Sequence, residues 1–148
     1  MHRVLAICAF SLAVAGQPAL AAEKAGDPGT NVEMPFLIAP MTVDGKLFSY
    51  AYISTKVVTN SRNASLVVRD KIPFIQDAFV RDVNKTPIGL ADDPKTVDES
   101  ALIERLMADV TQVVGAAKVA RVVLIKIQIS LLRPTEAPVL SASPIPPG

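Results

Sequence analysis

The sequence has little of the chemistry on which most catalytic and metal sites depend. Its 148 residues include one histidine, one cysteine and no tryptophan, and aromatic residues make up only 5% of the chain. Both His2 and Cys8 lie in the first ten residues. Residues 22–148 therefore cannot supply a Ser-His-Asp triad, a Cys-His pair or the usual zinc ligands. We predict a protein that is not an enzyme and that carries no cofactor.

The N-terminus has the three parts of a secretory signal peptide. Residues 1–3 (Met-His-Arg) are basic, residues 4–16 are apolar, and residues 19–21 (Ala-Leu-Ala) fit an A-x-A cleavage site. We predict cleavage after Ala21 and a periplasmic location. The alternative is an uncleaved anchor in the inner membrane, although the apolar run is shorter than the ~18–20 residues that a span needs.

Charge gives no indication of a nucleic-acid partner. The chain has 15 basic and 14 acidic side chains, and removal of Arg3 with the signal would make the two numbers equal. A neutral balance provides no electrostatic attraction to nucleic acid or to an anionic membrane. We therefore expect contact with the membrane to be indirect unless the signal is retained.

Composition divides the rest of the chain into three parts. Residues 22–33 are polar, with glycine and proline, which predicts a linker, and residues 134–148 contain five prolines, which predicts a disordered tail. Residues 34–133 alternate between strand-like and helix-like patterns. They predict one α+β domain with a small antiparallel or mixed sheet and two helices.

The domain begins with the signals of a β-hairpin. Residues 34–43 and 46–59 have extended patterns, and Asp44-Gly45 between them is a strong turn signal. Because Pro35 and Pro40 lack a backbone N–H, we expect the first of these strands to lie at an edge of the sheet.

Two helices are expected next. The first has an apolar stripe and is predicted as one helix kinked at Pro73; a strand reaching Val68 and a helix from Ile72 are the alternative. Thr96 and Glu99 have the spacing of a capping box for the second helix, and Gly115 would end it. The stripe of the first helix comprises Val68, Ile72, Ile75, Phe79 and Val83; that of the second comprises Leu102, Leu106, Val110 and Val113 or Val114.

Residues 118–133 form the most hydrophobic strand pattern of the chain. Six of the residues recur at a period of two, which predicts a long strand with one buried face around which the other elements pack. The six are Val119, Val123, Ile125, Ile127, Ile129 and Leu131.

Several side-chain groups have both a functional and a structural interpretation. Four acidic residues could offer calcium ligands: Asp92, Asp93, Asp98 and Glu99. They fit no EF-hand spacing, and a solvated loop before a helix explains them better.

Asp70, Asp77 and Asp82 are explained more simply as residues on the solvent-exposed face of a helix than as carboxylates of a catalytic pair. Phe48, Tyr50 and Tyr52 form an aromatic row, for which sheet packing is favoured over a binding surface.

The order of elements and several short segments resemble the family of the flagellar basal-body-associated protein FliL. The resemblance rests on Pro35-Phe36, on residues 50–53 (Tyr-Ala-Tyr-Ile), on residues 72–81 (IPFIQDAFVR) and on the Val-rich strand ending at Gln128. It implies an extracytoplasmic domain with a stomatin-like fold that self-associates into rings around the flagellar stator. The chain departs from the family where a cleavable signal replaces the transmembrane helix and where the Pro-rich tail is added.

Two functional hypotheses follow. The first is a non-enzymatic periplasmic protein that contacts envelope or flagellar basal-body proteins and forms homo-oligomers. Its candidate contact residues are Arg69, Asp77 and Arg81 on the first helix, with Tyr50 and Tyr52 on the strand before it. The second is a periplasmic small-molecule binding module, in which the aromatic row would line a pocket between the sheet and the helices.

Overall fold

The alternating strand and helix patterns produce a four-stranded antiparallel sheet with three helices on one face. The computed structural model describes residues 28–132. The predicted signal peptide, most of the linker and the predicted tail lie outside the described residues. In chain order the elements are β1 (Asn31–Glu33), β2 (Leu37–Val43), β3 (Lys46–Thr59), α1 (Arg62–Asp70), α2 (Ile72–Lys85), α3 (Glu99–Val114) and β4 (Val119–Leu131). The α+β class predicted from the sequence is confirmed.

The long strand β3 is the centre of the sheet. Strands β1 and β2 pair with successive parts of one edge of β3, and β4 pairs with the other edge. The predicted hairpin is β2–β3, and its turn has positive φ angles at both Asp44 (51°) and Gly45 (74°). These angles are what a two-residue type I′ turn requires, which explains the Asp-Gly pair. As Pro40 predicts, β2 has only β3 as a neighbour among the described strands.

The sheet begins before the predicted start of the domain. Asn31–Glu33, which the sequence assigned to the linker, form β1 opposite residues Lys56–Val58 of β3. Val32 is buried, and Thr59 Oγ1 donates a hydrogen bond to the Thr30 carbonyl at 2.9 Å. A three-residue strand carries too short an alternation to be recognised in a polar segment.

The first predicted helix is two helices that meet at Lys71. Ser61 caps α1 by accepting a hydrogen bond from the Ala64 N–H at 3.1 Å. Pro73 lies in the first turn of α2, where a missing N–H costs nothing. The break therefore precedes the proline by two residues, and the prediction of one helix kinked at Pro73 is wrong. In the alternative, the helix from Ile72 is correct and the strand reaching Val68 is wrong. The predicted apolar stripe is buried except at Ile72, which is half-buried.

The sequence predicted Thr96 as the N-cap of α3, and this prediction is wrong. The helix begins at Glu99, and Asp98 is the N-cap, because its Oδ1 accepts a hydrogen bond from the Ala101 N–H at 3.0 Å. Thr96 instead donates to Asp93 Oδ2 at 2.6 Å, within the preceding loop. The predicted stop at Gly115 is correct, and this residue has a φ of 93°.

The core lies between the helices and one face of the sheet, called here the inner face. Alternate residues of β2 and β3 point into it, and α2 and α3 supply the opposite side. Its fully buried members include Leu37, Ala39, Ala51, Ile53 and Val57 from the strands, and Ile75, Phe79, Leu102, Leu106 and Val110 from the helices.

The most hydrophobic strand, β4, is an edge strand, and the prediction of one continuous buried face was wrong. Two bulges leave Ala120 and Ile125 without a partner in β3 and reverse the alternation at each. Val119, Val122 and Leu124 therefore share the inner face with Ile127, whereas Val123 does not. From Ile125 onward the strand is largely exposed.

Candidate functional site

The second part of β4 presents apolar side chains that the fold does not cover. We call residues 125–132 the distal edge. Four of its side chains are largely exposed: Ile125 (53%), Ile129 (45%), Leu131 (62%) and Leu132 (46%). Ile129 and Leu131 lie on the inner face, like Ile127, so the four side chains are spread over both sides of the strand. Their combined exposed surface is on the order of 400 Å², an amount of exposed apolar area that is uncommon away from interaction sites.

The helices explain why this exposure begins midway along the strand. A shallow groove of about 250 Å³ is lined by Glu99 at the start of α3 and by Ile127 and Ile129 of β4. The other end of α3 leads through Gly115 to the start of β4. Helix α3 thus runs antiparallel over the first part of β4, and the strand extends beyond the N-terminus of the helix.

The backbone of β4 is also open for pairing. Among the described strands β4 pairs with β3 alone, so the backbone groups along its outer edge have no partner strand. Natural edge strands are usually protected by proline, inward charges or short length. The 13 residues of β4 include no proline, and Lys126 is the one charged residue of the distal edge.

The face of the sheet that points away from the helices, called here the outer face, carries a second exposed patch. Tyr52 lies between Ile38 and Gln128 in one cross-strand row, and Tyr50 lies between Pro40 and Ser130 in the next. Ile38 and Tyr52 are 48% and 40% exposed. We call Ile38, Pro40, Tyr50 and Tyr52 the outer patch. No helix among residues 28–132 packs over it.

The predicted aromatic row is therefore only partly present. A bulge leaves Phe48 without a partner in β2, and its ring lies 5.2 Å from Lys95 Nζ in the loop before α3. Because their neighbours Ala51 and Ile53 face the core, Tyr50 and Tyr52 point away from the helices. They do not line a pocket between the sheet and the helices, as the binding-module hypothesis required.

The three charged candidates lie on the helical side and do not join the tyrosines. Arg69 Nη2 donates to the Asn31 carbonyl at 3.4 Å, beside a groove between α1 and β1. Arg81 and Asp77 form an exposed i,i+4 ion pair on α2. Exposed pairs of this kind contribute little to stability. The five predicted residues are thus spread over opposite sides of the domain.

Sequence reasoning missed a polar network between α2 and α3. Arg105 Nε contacts Asp82 Oδ2 at 2.9 Å, and its Nη1 and Nη2 donate to the carbonyls of Pro87 (3.0 Å) and Thr86 (3.3 Å). A single guanidinium thereby joins α3 to the end of α2. No local motif indicates a contact between residues 23 positions apart.

Asp109 lies one helical turn after Arg105 and has an unusual environment. Burial and then the negative charge of Asp82 raise the pKa of Asp109 from 3.8 to about 6, while Arg105 acts in the opposite direction. Its Oδ2 has no hydrogen-bond partner among the described residues.

The shallow groove beside Asp109 has a volume of about 310 Å³. It is lined by Ala78, Arg81, Asp82, Lys85, Asp109 and Gln112. We attribute this network to packing of the helices, because Arg105 uses three acceptors at the end of α2.

The predicted calcium ligands have structural roles in the loop and cap. Asp93 accepts hydrogen bonds from Thr96 Oγ1 and the Lys95 N–H, and Asp98 caps α3. Within residues 28–132, no three acidic, histidine or cysteine side chains are grouped so that they could share a metal ion. These acids are explained by the loop geometry.

Comparison with known proteins gives no further direction. No family model matches this chain, and the search of curated proteins found no relative. Among the helices of residues 28–132, none has both the length and the hydrophobicity needed to cross a bilayer.

Proposed function

We propose that this protein is a non-enzymatic, exported domain that acts through protein contacts in the bacterial envelope, as an accessory of the flagellar motor or of a related assembly. The observation that carries the proposal is the exposed sheet surface. The outer patch exposes apolar side chains on the face of the sheet that the helices leave uncovered, and the distal edge exposes apolar side chains and open backbone along β4.

The outer patch is the surface that we assign to the envelope partner. It combines aromatic and aliphatic side chains, and tyrosine is enriched at protein interfaces because one ring offers both apolar area and a hydroxyl. Tyr50 and Tyr52 also belong to residues 50–53, one of the segments that carry the resemblance to the flagellar family. Residues 72–81, another such segment, form most of α2.

The chemistry of the chain is consistent with this role. Residues 22–148 contain no histidine or cysteine, and the carboxylates Asp82, Asp93 and Asp98 have structural partners. A domain of this composition is suited to binding rather than to nucleophilic catalysis.

The test combines a motility assay with site-specific cross-linking in a bacterium that carries the gene. We expect deletion of the gene to reduce swimming, the unaltered gene to restore it, and Ile38→Lys to fail to restore it. A photoreactive amino acid at position 52 should form an adduct with one envelope protein.

The controls use exposed positions elsewhere on the domain. Leu66→Lys changes a side chain on α1 that is 60% exposed and should restore swimming, and the photoreactive residue at position 100 of α3 should give no adduct. Normal swimming of the deletion strain together with equal adducts at positions 52 and 100 would exclude the proposed function.

A further inference from the structure

The distal edge has the properties of a strand that pairs with another strand. It offers open backbone groups over residues 125–132, exposed apolar side chains and little protection against pairing. Because the N-terminus of α3 lies at Glu99, beside Ile127 and Ile129, the helical layer does not extend over the rest of the strand. A second strand can therefore approach without meeting a helix.

We propose that a second copy of this chain occupies the distal edge, and that the two β4 strands pair antiparallel about a two-fold axis at Gln128. This inference rests on one part of the proposed function, namely that the domain acts by binding other protein chains. It names the occupant of one surface and leaves the outer patch to the envelope partner. The two sheets would form one continuous antiparallel sheet.

The side chains of the distal edge are self-complementary in this register. Gln128 lies opposite Gln128 of the second copy, Ile127 lies opposite Ile129, and Lys126 lies opposite Ser130. Ile125 lies opposite Leu131 at each end. Apolar residues thus oppose apolar ones, and polar residues oppose polar ones, which is the pattern that stabilises cross-strand pairs.

Neighbouring registers are less suitable. An axis at Lys126 places two lysines directly opposite each other, and like charges at this position are destabilising. An axis at Ile129 places Lys126 opposite Leu132, and an axis at Ile127 places Leu124 opposite Ser130. The axis at Gln128 avoids all three mismatches.

The surface available fits a weak homodimer. The exposed apolar area is on the order of 400 Å² per copy, but a neighbouring strand covers only the flanks of these side chains and the open backbone, so the pair would bury less than about 1,000 Å², the size of a weak interface. A two-fold dimer uses the same patch twice, so one set of residues supplies the whole interface. We therefore expect dissociation in the micromolar range or above.

The chain's own C-terminal segment is a poorer occupant. Residues 133–148 begin where the distal edge ends, but five of the 16 are proline, at positions 134, 138, 144, 146 and 147. Proline cannot donate a hydrogen bond to a strand ladder. The distal edge of a second copy has an N–H at every position.

The experiment uses disulfide formation in the full-length chain with Cys8→Ser, which removes the one native cysteine. Directly opposed residues of antiparallel strands have Cα atoms ~4.5–5.5 Å apart, within the range that a disulfide spans. We expect Gln128→Cys to give a covalent dimer under mild oxidation, at least tenfold more than Gln112→Cys. Gln112 is an exposed glutamine of α3 and provides the same substitution away from the distal edge.

The register is tested by two further cysteine variants. Lys126→Cys alone should cross-link poorly, because the two copies of this position would be about 14 Å apart along the strands. A mixture of Lys126→Cys and Ser130→Cys should cross-link efficiently. Equal cross-linking of Gln128→Cys and Gln112→Cys, or efficient cross-linking of Lys126→Cys alone, would overturn the proposal. So would a Gln128→Cys dimer that forms only after residues 133–148 are deleted, since the tail would then be the occupant.

Sedimentation of lysine variants separates this proposal from the proposed function. Ile129 and Ile38 are 45% and 48% exposed, so lysine should be tolerated at either position, which circular dichroism checks. We expect Ile129→Lys to weaken the dimer at least tenfold and to retain the adduct at position 52, and Ile38→Lys to do the reverse. A dimer of Ile129→Lys as strong as that of the unaltered chain would overturn the homodimer and leave the envelope contact standing. If the photoreactive residue at position 52 gave no adduct while the unaltered chain still formed the dimer, the envelope contact alone would be overturned.

Discussion

The two parts of β4 both contain several branched aliphatic residues but have opposite environments. Val119 and Val122, in the first part, are 4% exposed each, whereas Ile129 and Leu131, in the second, are 45% and 62% exposed. Both parts are rich in branched aliphatic residues and both pair with β3. The difference is the layer above them, because α3 covers the first part and its N-terminus lies beside Ile127 and Ile129.

This comparison shows that hydrophobicity of a strand does not by itself determine whether the strand is part of the core. In the first part of β4 the apolar side chains stabilise the domain. In the second part they are available for contact with another molecule, which is where the homodimer is proposed.

The largest effect is expected from placing the same charge in each part. Val122→Lys buries an unpaired ammonium beneath α3, and we expect it to lower the free energy of unfolding by more than about 3 kcal/mol. Ile129→Lys keeps its charge in water and should change the free energy of unfolding of the monomer by less than about 0.5 kcal/mol. Urea denaturation at low protein concentration measures both. Similar losses in the two variants would show that the distal edge is structural.

The sequence predicted the elements better than their environments. The hairpin turn, the two apolar stripes and the stop at Gly115 follow from local rules, and the structure contains all of them. The faces of β4 were not predictable, because each bulge shifts the alternation by one residue and is determined by pairing with β3. The exposure of the distal edge depends on where α3 ends, which is a tertiary property.

The candidate site shows the same limit. The sequence predicted Phe48, Tyr50 and Tyr52 as one aromatic row; Tyr50 and Tyr52 share a face, but a bulge at Phe48, which has no partner in β2, removes Phe48 from the row. Arg105 and its acceptors at the end of α2 were missed, because they meet through the packing of α2 on α3.

Two buried threonines of β3 provide the next test, one at each end of the covered part of β4. Thr59, opposite Val119, has a hydroxyl within hydrogen-bond distance of the Thr30 and Ser61 carbonyls, and Thr59→Val should cost about 1–2 kcal/mol by removing this buried hydrogen bonding. Thr55, opposite Leu124, has a hydroxyl without a partner among the described residues, so Thr55→Val should add about 1 kcal/mol. Thermal unfolding compares the two. A loss of stability in both would mean that the Thr55 hydroxyl is hydrogen-bonded.

A smaller change should come from loosening the end of α3, where cover of β4 stops. Asp98→Ala removes the side chain that accepts from the Ala101 N–H, and we expect a loss of about 1 kcal/mol with faster hydrogen exchange in the first turn of α3. Thr96→Ala is the matched control, because Thr96 bonds only within the loop. A larger effect for Thr96→Ala would restore the capping box predicted from the sequence.

The smallest expected change in the free energy of unfolding comes from Asp109, which lies where α3 packs against α2, and this change depends on pH. Since the folded state raises the pKa of Asp109 from 3.8 to about 6, the folded protein binds more protons than the unfolded chain between these values, and stability must fall as the pH rises through this window. Asp109 is only half-buried, so solvent screening reduces the effect to about 1 kcal/mol or less at pH 7.

Asp109→Asn keeps the side chain neutral at every pH. In urea unfolding, this variant should be more stable than the unaltered protein at pH 7 and equally stable near pH 4. Glu104→Gln, an exposed site on the same helix, makes the same change in charge and should leave the pH profile intact. A profile unchanged by Asp109→Asn would mean that Arg105 neutralises Asp109 in the folded state, and that the contact between α2 and α3 does not depend on its protonation.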